Sequence, residues 1–182
     1  DRKRYQTVFA KHAGAIAAPT AGLHFTPKLL ESLNRGGVNC AFLTLHVGVG
    51  TFRPIRSEDI RGHTMEAEQF HVPAETLKEL VRARKTGQDI IAVGSTSTRV
   101  LESMNLGAVI DGNFSGWTDR FIYPGQGFST VDRLLTNFHL PKSTLYLLVC
   151  AFAGKGLIER AYREAIEHSY RFFSYGDAML IL

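Results

Sequence analysis

Four short polar loops follow apolar segments of this sequence, and they hold most of the residues that could do chemistry. Hydroxyl, imidazole and glycine residues recur in them, and these residue types bind polar ligands and titrate near neutral pH. Because functional groups of α/β proteins collect at the carboxyl ends of strands, we expect the loops to form one site. In chain order they contribute Thr20, Gly22 and His24; His46, Gly48, Gly50 and Thr51; Ser95, Thr96, Ser97 and Arg99; and Asn137, His139 and Lys142.

The familiar phosphate-binding motifs are absent from these loops. The segment GSTSTR at residues 94–99 joins a predicted strand to a helix start, where backbone N–H groups favour an anion. It is not the P-loop pattern GxxxxGK[ST], and the chain contains no GxGxxG. The sequence therefore permits a nucleoside ligand but does not indicate a nucleotide kinase or a dehydrogenase.

Metal-dependent and nucleophilic chemistry also lack their usual patterns. Histidines and glutamates cluster in HTMEAEQFH at residues 63–71, but their spacing fits neither a zincin nor an EF-hand. We therefore predict no metal site. A GxSxG elbow is absent, and Cys40 and Cys150 lie in apolar runs, as expected of buried, reduced thiols. These features argue against serine or thiol hydrolysis.

Segments typical of helices and of strands alternate, so we predict an α/β domain over residues 1–182 with a mainly parallel sheet. Thr26 is a predicted N-cap, Pro27 suits the first helical position, and Gly36 ends this helix, whose leucines form an apolar stripe. The predicted helices cover residues 27–36, 73–86, 99–104, 143–153 and 157–168. The predicted strands cover residues 14–19, 38–47, 68–72, 89–93, 120–123, 131–138 and 178–182; residues 48–57 are a predicted loop, and 106–118 lack a clear pattern.

Composition places the chain among globular proteins. Its 182 residues are 45% hydrophobic and 21% charged, which is near the globular average and argues against disorder. The longest apolar run, residues 145–154, is far shorter than the roughly 20 residues that span a bilayer. Asp1–Arg4 lead into no apolar stretch, so we expect no secretory signal and a cytoplasmic location. The net charge of +4 permits nucleic-acid binding, although the basic residues are spread out.

Seven unusual strings distributed over the whole chain carry a resemblance to a known family. The sequence resembles the S-adenosylmethionine:tRNA ribosyltransferase-isomerases of queuosine biosynthesis. The strings are RYQTVF (4–9), AAPTAGLHF (17–25), FLTLHVGVGTFRP (42–54), IAVGSTSTRVLES (91–103), FIYPG (121–125), LLTNFHLPKSTL (134–145) and YRFFSYGDAMLI (170–181).

The resemblance implies that this chain is part of a longer protein. Family members are roughly twice as long and resemble a TIM-type barrel with a small inserted β-barrel domain. This sequence is similar to the part that follows the insertion, and it opens without Met. We therefore expect a partial barrel that lacks its N-terminal strands and the small domain. Such a fragment should be inactive or nearly so, and should expose an apolar face or bury it against another copy.

The resemblance also implies a reaction and its partners. S-adenosylmethionine, as co-substrate, donates its ribosyl moiety to 7-aminomethyl-7-deazaguanine at the wobble position of tRNAs with a GUN anticodon. Adenine and methionine leave, and epoxyqueuosine-tRNA remains. The resemblance implies no metal, no bound cofactor and no membrane partner.

This chemistry needs a base for the carbon beside the sulfonium, an acid for adenine departure, and polar groups for the ribose and the methionine carboxylate. His24, His46, His139 and Asp177 are the candidate acids and bases. We expect His46 to face the pocket, because it follows the most apolar segment and precedes GVGT. A structural imidazole bonded to backbone carbonyls is the alternative. Arg99 and the neighbouring hydroxyls are candidates for binding anionic or hydroxyl groups of the ligand.

Two other functions stay open at the level of sequence. A non-catalytic RNA-binding or assembly fragment would also fit the basic charge. A conventional methyltransferase is disfavoured, because the first predicted strand is not followed by a glycine-rich loop and the second does not end in an acid. Release of free adenine and methionine, rather than methylated RNA, distinguishes the transferase from both alternatives.

Overall fold

The computed structural model describes residues 4–52, 55, 59–107 and 112–182. It confirms an α/β class: five α-helices and two three-stranded sheets are formed by the described residues. Arg53, Pro54, Arg56 and Ser57 of the predicted loop lie outside these residues, as do residues 108–111 of the unpatterned stretch. None of the helices in the described ranges is long and apolar enough to cross a membrane.

Two of the helices begin where a capping residue predicts their start. Thr26 Oγ1 accepts a hydrogen bond from the Leu29 N–H at 3.1 Å, and Ser143 Oγ accepts one from Tyr146 at the same distance. The third helix begins at Ser95 rather than at Arg99, because Gly94, at a φ of +91°, turns the chain directly into it. The α-helices are α1 (Pro27–Arg35), α2 (Ala74–Lys85), α3 (Ser95–Ser103), α4 (Thr144–Ala153) and α5 (Lys155–Glu167), and 3₁₀ turns cover Thr20–His24, Val49–Phe52 and Ile60–Gly62.

The strands form two sheets instead of the predicted single, mainly parallel one. They are β1 (Thr44–Leu45), β2 (Glu68–Val72), β3 (Ile91–Val93), β4 (Phe114–Thr118), β5 (Arg133–Asn137) and β6 (Ala178–Ile181). The first sheet has the order β1-β2-β4 and is antiparallel throughout. The second has the order β3-β5-β6, in which only β3 and β5 are parallel. The prediction was wrong because helix–strand alternation does not reveal whether a connection returns to the same sheet.

Several predicted strands differ from the structure for local reasons. Residues 14–19 form no strand: Ile16 donates a backbone bond to Val47, but the segment then passes through Pro19, which has no N–H. The predicted strand 38–47 is reduced to β1. In residues 120–123 the chain has no ladder partner among the described residues. Strand β4 was not predicted, because Gly116 interrupts its pattern. This glycine packs against the Phe70 ring, and a Cβ at position 116 would lie 3.2 Å from the ring atom Cζ.

One core cluster joins both sheets to helices α2–α5. Val72, Val100, Leu134 and Val149 have no exposed surface within it. Burial of such apolar side chains supplies most of the driving force for folding. The cluster fixes the carboxyl ends of β3 and β5 beside the start of α3, where the polar loops emerge.

Two apolar surfaces stay open. Helix α1 buries none of its residues, and Leu29 of its predicted apolar stripe is 40% exposed. On the second sheet, the register places Val93, Leu135 and Leu180 side by side on one face, and Leu180 is 52% exposed. An apolar sheet face of this kind is typical of a surface that another element covers.

The buried carboxylate of Glu102 gives a test of the fold. It accepts backbone N–H bonds from Ser129, Thr130 and Val131 at 2.8–2.9 Å, and so fixes the segment that leads into β5. We expect Glu102→Gln to lower the free energy of unfolding by about 2 kcal/mol, because charge-assisted bonds are lost and an amide N–H₂ faces N–H donors. Urea unfolding measures this, and exposed Glu167→Gln, as control, should stay within about 0.5 kcal/mol of the original protein. Equal stability of both variants would contradict this role.

Candidate functional site

A cavity of about 130 Å³ lies where the four polar loops meet. Its walls come from the first 3₁₀ turn, the start of α3, the end of β5 and the start of α4. Polar side chains face apolar ones across it, which is the usual make-up of a small-molecule site. The lining residues are Ala18, Pro19, Thr20, Ala21, Val47, Thr51, Gly94, Ser95, Thr96, Thr136, Asn137, Phe138, His139, Leu140, Ser143, Leu145, Phe173 and Ser174.

Each of the four predicted loops contributes to this cavity, although their strands do not share one sheet. Of the predicted site residues, those in the lining are Thr20, Thr51, Ser95, Thr96, Asn137 and His139. Those outside the lining are Gly22, His24, His46, Gly48, Gly50, Ser97, Arg99, Lys142 and Asp177. Thr136, Ser143 and Phe173 also line the cavity but are not among the predicted site residues; the first two are hydroxyl residues directly beside predicted ones.

The start of α3 presents backbone donors to the cavity. The Gly94 N–H bonds the Leu135 carbonyl at 2.8 Å, which ties this turn to β5. The Thr98 hydroxyl and N–H both donate to the Gly94 carbonyl. The first N–H groups of a helix have no partner within the helix, so those of Ser95 and Thr96 suit a carboxylate or hydroxyl oxygen.

His139 is a buried histidine in the cavity wall. Its Nε2 lies 2.9 Å from Thr136 Oγ1, and its backbone N–H donates to the Tyr162 hydroxyl at 2.8 Å. Burial lowers the pKa of His139 to about 4. The imidazole is therefore neutral at pH 7 and suits hydrogen bonding better than proton uptake.

His24 lies at the exposed rim and contacts the cavity through Asn137. Its Nε2 is 3.3 Å from Asn137 Oδ1, and Asn137 Nδ2 donates to the Phe173 carbonyl at 2.8 Å. Asn137 is 2% exposed and lines the cavity, so its orientation is fixed from both sides.

Asp177 is bound to Arg171 beside this rim. The Arg171 side chain and backbone N–H donate to its two carboxylate oxygens at 2.9 and 2.8 Å. Hydrogen bonds from the Arg171 side chain and backbone, with a smaller contribution from His24, lower the pKa of Asp177. Asp177 is therefore an ionised group close to His24, with its oxygens already engaged.

His46 does not line the cavity, although its neighbour Val47 does. The His46 ring packs against Gly14, where an added Cβ would lie 2.7 Å from Nδ1. This Nδ1 is buried and has no hydrogen-bond partner among the described residues. Its backbone N–H bonds the Gln69 carbonyl at 2.9 Å. The His46 ring is thus placed beside Gly14 and not among the residues that line this cavity, and its role in the reaction stays a prediction.

A buried ion pair behind the cavity was not identified from sequence. Glu68 and Arg99 have side chains that are each 2% exposed, and Arg99 Nη2 donates to Glu68 Oε2. Glu68 Oε1 accepts from the Gly48 N–H at 2.8 Å and from the Thr51 hydroxyl at 2.7 Å. A signal did exist: Glu68 shares the inward face of β2 with Phe70 and Val72. A glutamate at such a position requires a partner.

The remaining predicted residues lie around this site. An added Cβ at Gly50 would lie 2.8 Å from Glu66, and one at Gly22 would lie 2.7 Å from Phe9, so protein side chains fill the space beside both glycines. Ser97 is half-buried on α3, and exposed Lys142 accepts a bond from the Ile55 N–H through its carbonyl. In the described ranges, no group of three or more metal-binding side chains is found.

Known proteins are similar to this chain in both sequence and structure. Over 90% of its length the chain superposes on the crystal structure of S-adenosylmethionine tRNA ribosyltransferase from Thermotoga maritima, with a TM-score of 0.73 and 47% identity, and it covers 51% of that chain. The fold is therefore that of about half of this neighbouring protein. Residues 1–181 match the family described as queuosine biosynthesis protein, and the chain belongs to that family.

Relatives of known name are similar over the whole chain. S-adenosylmethionine:tRNA ribosyltransferase-isomerase from Caldanaerobacter subterraneus subsp. tengcongensis is 56% identical over 182 residues, and its counterpart from Halothermothrix orenii is 52% identical. Each alignment covers 100% of this chain and 53% of the relative. The chain thus spans about half the length of the curated relatives that it matches.

The low pKa of His139 predicts how stability depends on pH. The unfolded chain binds a proton on this residue near pH 6.5, whereas the folded protein does so only near pH 4. Stability present above pH 6.5 is therefore lost as the pH falls towards 4, by about 2 kcal/mol at pH 5. Glutamine cannot titrate. In His139→Gln we therefore expect the free energy of unfolding, measured with urea, to fall by about 2 kcal/mol less between pH 7 and pH 5 than in the original protein. The exposed His168→Gln should retain the original slope; if both variants retain it, His139 is not the group that causes it.

Proposed function

We propose that this chain forms the C-terminal part of the catalytic domain of an S-adenosylmethionine:tRNA ribosyltransferase-isomerase. In the reaction, the ribosyl moiety of S-adenosylmethionine is transferred to 7-aminomethyl-7-deazaguanine at the wobble position of tRNA and isomerised. Adenine and methionine are released. The observation that supports this most directly is the polar cavity at the junction of four loops in a chain more than half identical to enzymes of that name.

The cavity suits one portion of the co-substrate. Pockets for whole drug-sized ligands begin at roughly 300 Å³, which is more than the volume found here. The hydroxyls of Thr20, Thr51 and Thr96 suit the ribose diol, and the start of α3 suits the methionine carboxylate. In this proposal, the other half of the full-length enzyme supplies the rest of the ligand site. It also completes the barrel and provides the tRNA contacts.

Among the candidate proton carriers, we assign the proton transfer to His24. It lies at the open rim, where a ligand has access, and Asn137 orients it through Nε2. The Asp177 carboxylate, whose pKa is lowered mainly by its hydrogen bonds with Arg171, lies close to it. His139 instead acts as a neutral hydrogen-bonding group, because a pKa of about 4 makes it a poor proton acceptor at pH 7.

The direct test of this function is product analysis with the protein at the full length of its relatives. Incubation with S-adenosylmethionine and precursor tRNA should release adenine and methionine in equal amounts. The 182-residue chain alone should release little or none, because half of the relatives' length is absent from it. Methylated RNA without free adenine would contradict the proposal, and tRNA binding without either product would favour the non-catalytic alternative.

The role of His24 is tested by substitution in the full-length protein. We expect His24→Ala to lower kcat roughly 10²-fold, the usual contribution of a general acid or base. The exposed His168→Ala should not change it. His24→Gln keeps a hydrogen bond to Asn137 but cannot titrate, so it should be as slow as His24→Ala. If the glutamine variant restores most of kcat, His24 positions the substrate and carries no proton.

A further inference from the structure

The Glu68–Arg99 pair fixes the direction of one hydroxyl in the cavity wall. The Thr51 hydroxyl donates its single proton to Glu68 Oε1 at 2.7 Å, and its oxygen accepts a bond from Arg99 Nη2 at 3.3 Å. A carboxylate only accepts and a guanidinium only donates, so neither bond can reverse. Thr51 lines the cavity and, in the described part of the chain, has one lone pair left for a further donor.

We propose that Glu68 is a positioning residue, which makes Thr51 a hydrogen-bond acceptor for an O–H or N–H group of bound S-adenosylmethionine. This inference rests on the proposed function for the identity of the ligand. The hydroxyl of an unconstrained threonine can rotate to donate or to accept. In this structure the Thr51 hydroxyl proton is already donated to Glu68. A ligand group beside Thr51 is therefore favoured if it is a hydrogen-bond donor and disfavoured if it is an acceptor.

The same pair joins two walls of the cavity. Glu68 holds the Gly48–Thr51 segment through the Gly48 N–H, and Arg99 lies one turn after Ser95 and Thr96 on α3. Because both charges are buried, removal of one partner disturbs the other and both walls. Glu68 therefore acts on the ligand through Thr51 and not by contact, since it is absent from the lining.

The test is a set of S-adenosylmethionine dissociation constants measured by calorimetry on the full-length protein. Thr51→Val keeps the shape but removes the hydroxyl, and we expect it to weaken binding by about 10-fold, because a ligand donor is left unpaired. Thr51→Ser restores the hydroxyl and should bind within about 3-fold of the original protein. Equal affinity of the two variants would overturn the proposal.

A double-substitution cycle tests whether Glu68 acts through Thr51. Glu68→Gln should weaken binding, and Glu68→Gln combined with Thr51→Val should weaken it no further than Thr51→Val alone. Additive losses would mean that Glu68 affects the ligand by another route. If Glu68→Gln does not fold, the Thr51→Val and Thr51→Ser pair still decides the acceptor role.

Two fragments of S-adenosylmethionine show which part of it carries the hydrogen-bond donor that Thr51 accepts from. A separate measurement of adenine release distinguishes failure of this inference from failure of the proposed function. Adenosine and methionine are titrated separately into the original protein and into Thr51→Val. The probe that carries the donor loses affinity and the other does not; if neither loses affinity, the acceptor role is wrong. If S-adenosylmethionine binds as expected but no adenine is released with tRNA, the proposed function fails while the role of Glu68 stands.

Discussion

The ion pair between Glu68 and Arg99 is the constraint on which the site depends. Its hydrogen bonds connect strand β2 of the first sheet to the segment that begins at Gly48 and to helix α3, which follows strand β3 of the second sheet. Because both side chains are buried, water does not compete for these bonds. Burying two charges is costly, and their mutual attraction rarely exceeds that cost, so the pair is weak evidence for stability. Its value lies in geometry: an apolar replacement would pack as well but would leave the Thr51 hydroxyl free to rotate.

The sequence predicted local structure better than long-range pairing. The α1 and α4 starts were confirmed because caps such as Thr26 and Ser143 act within one turn. The single parallel sheet was wrong because strand partners are chosen by tertiary packing, which no short pattern reports. Strand β4 shows the limit most clearly: Gly116 lowers strand propensity locally, yet it is the residue that admits the Phe70 ring.

The same distinction applies to the site. Residues from all four predicted loops line one cavity, so the sequence pattern located the segments that surround it. Individual roles could not be predicted, because alternation within a segment decides which side chain faces the ligand. Val47 faces the cavity and His46 faces Gly14, and nothing in the apolar context of these residues indicates that order. Glu68 was considered only as a metal ligand, in a segment whose spacing fits no metal motif, whereas strand periodicity places it on the inward face of β2.

Burial assigns different chemistry to His139 in the cavity wall and to His24 at the rim. His139 is enclosed and loses its affinity for protons, while His24 is solvated and stands beside ionised Asp177. Asn137 and Thr136, which contact them, are neighbours on β5, so one strand holds both imidazoles in fixed places. A reaction that needs one group to exchange a proton and another to remain a neutral hydrogen-bonding partner is served by this arrangement.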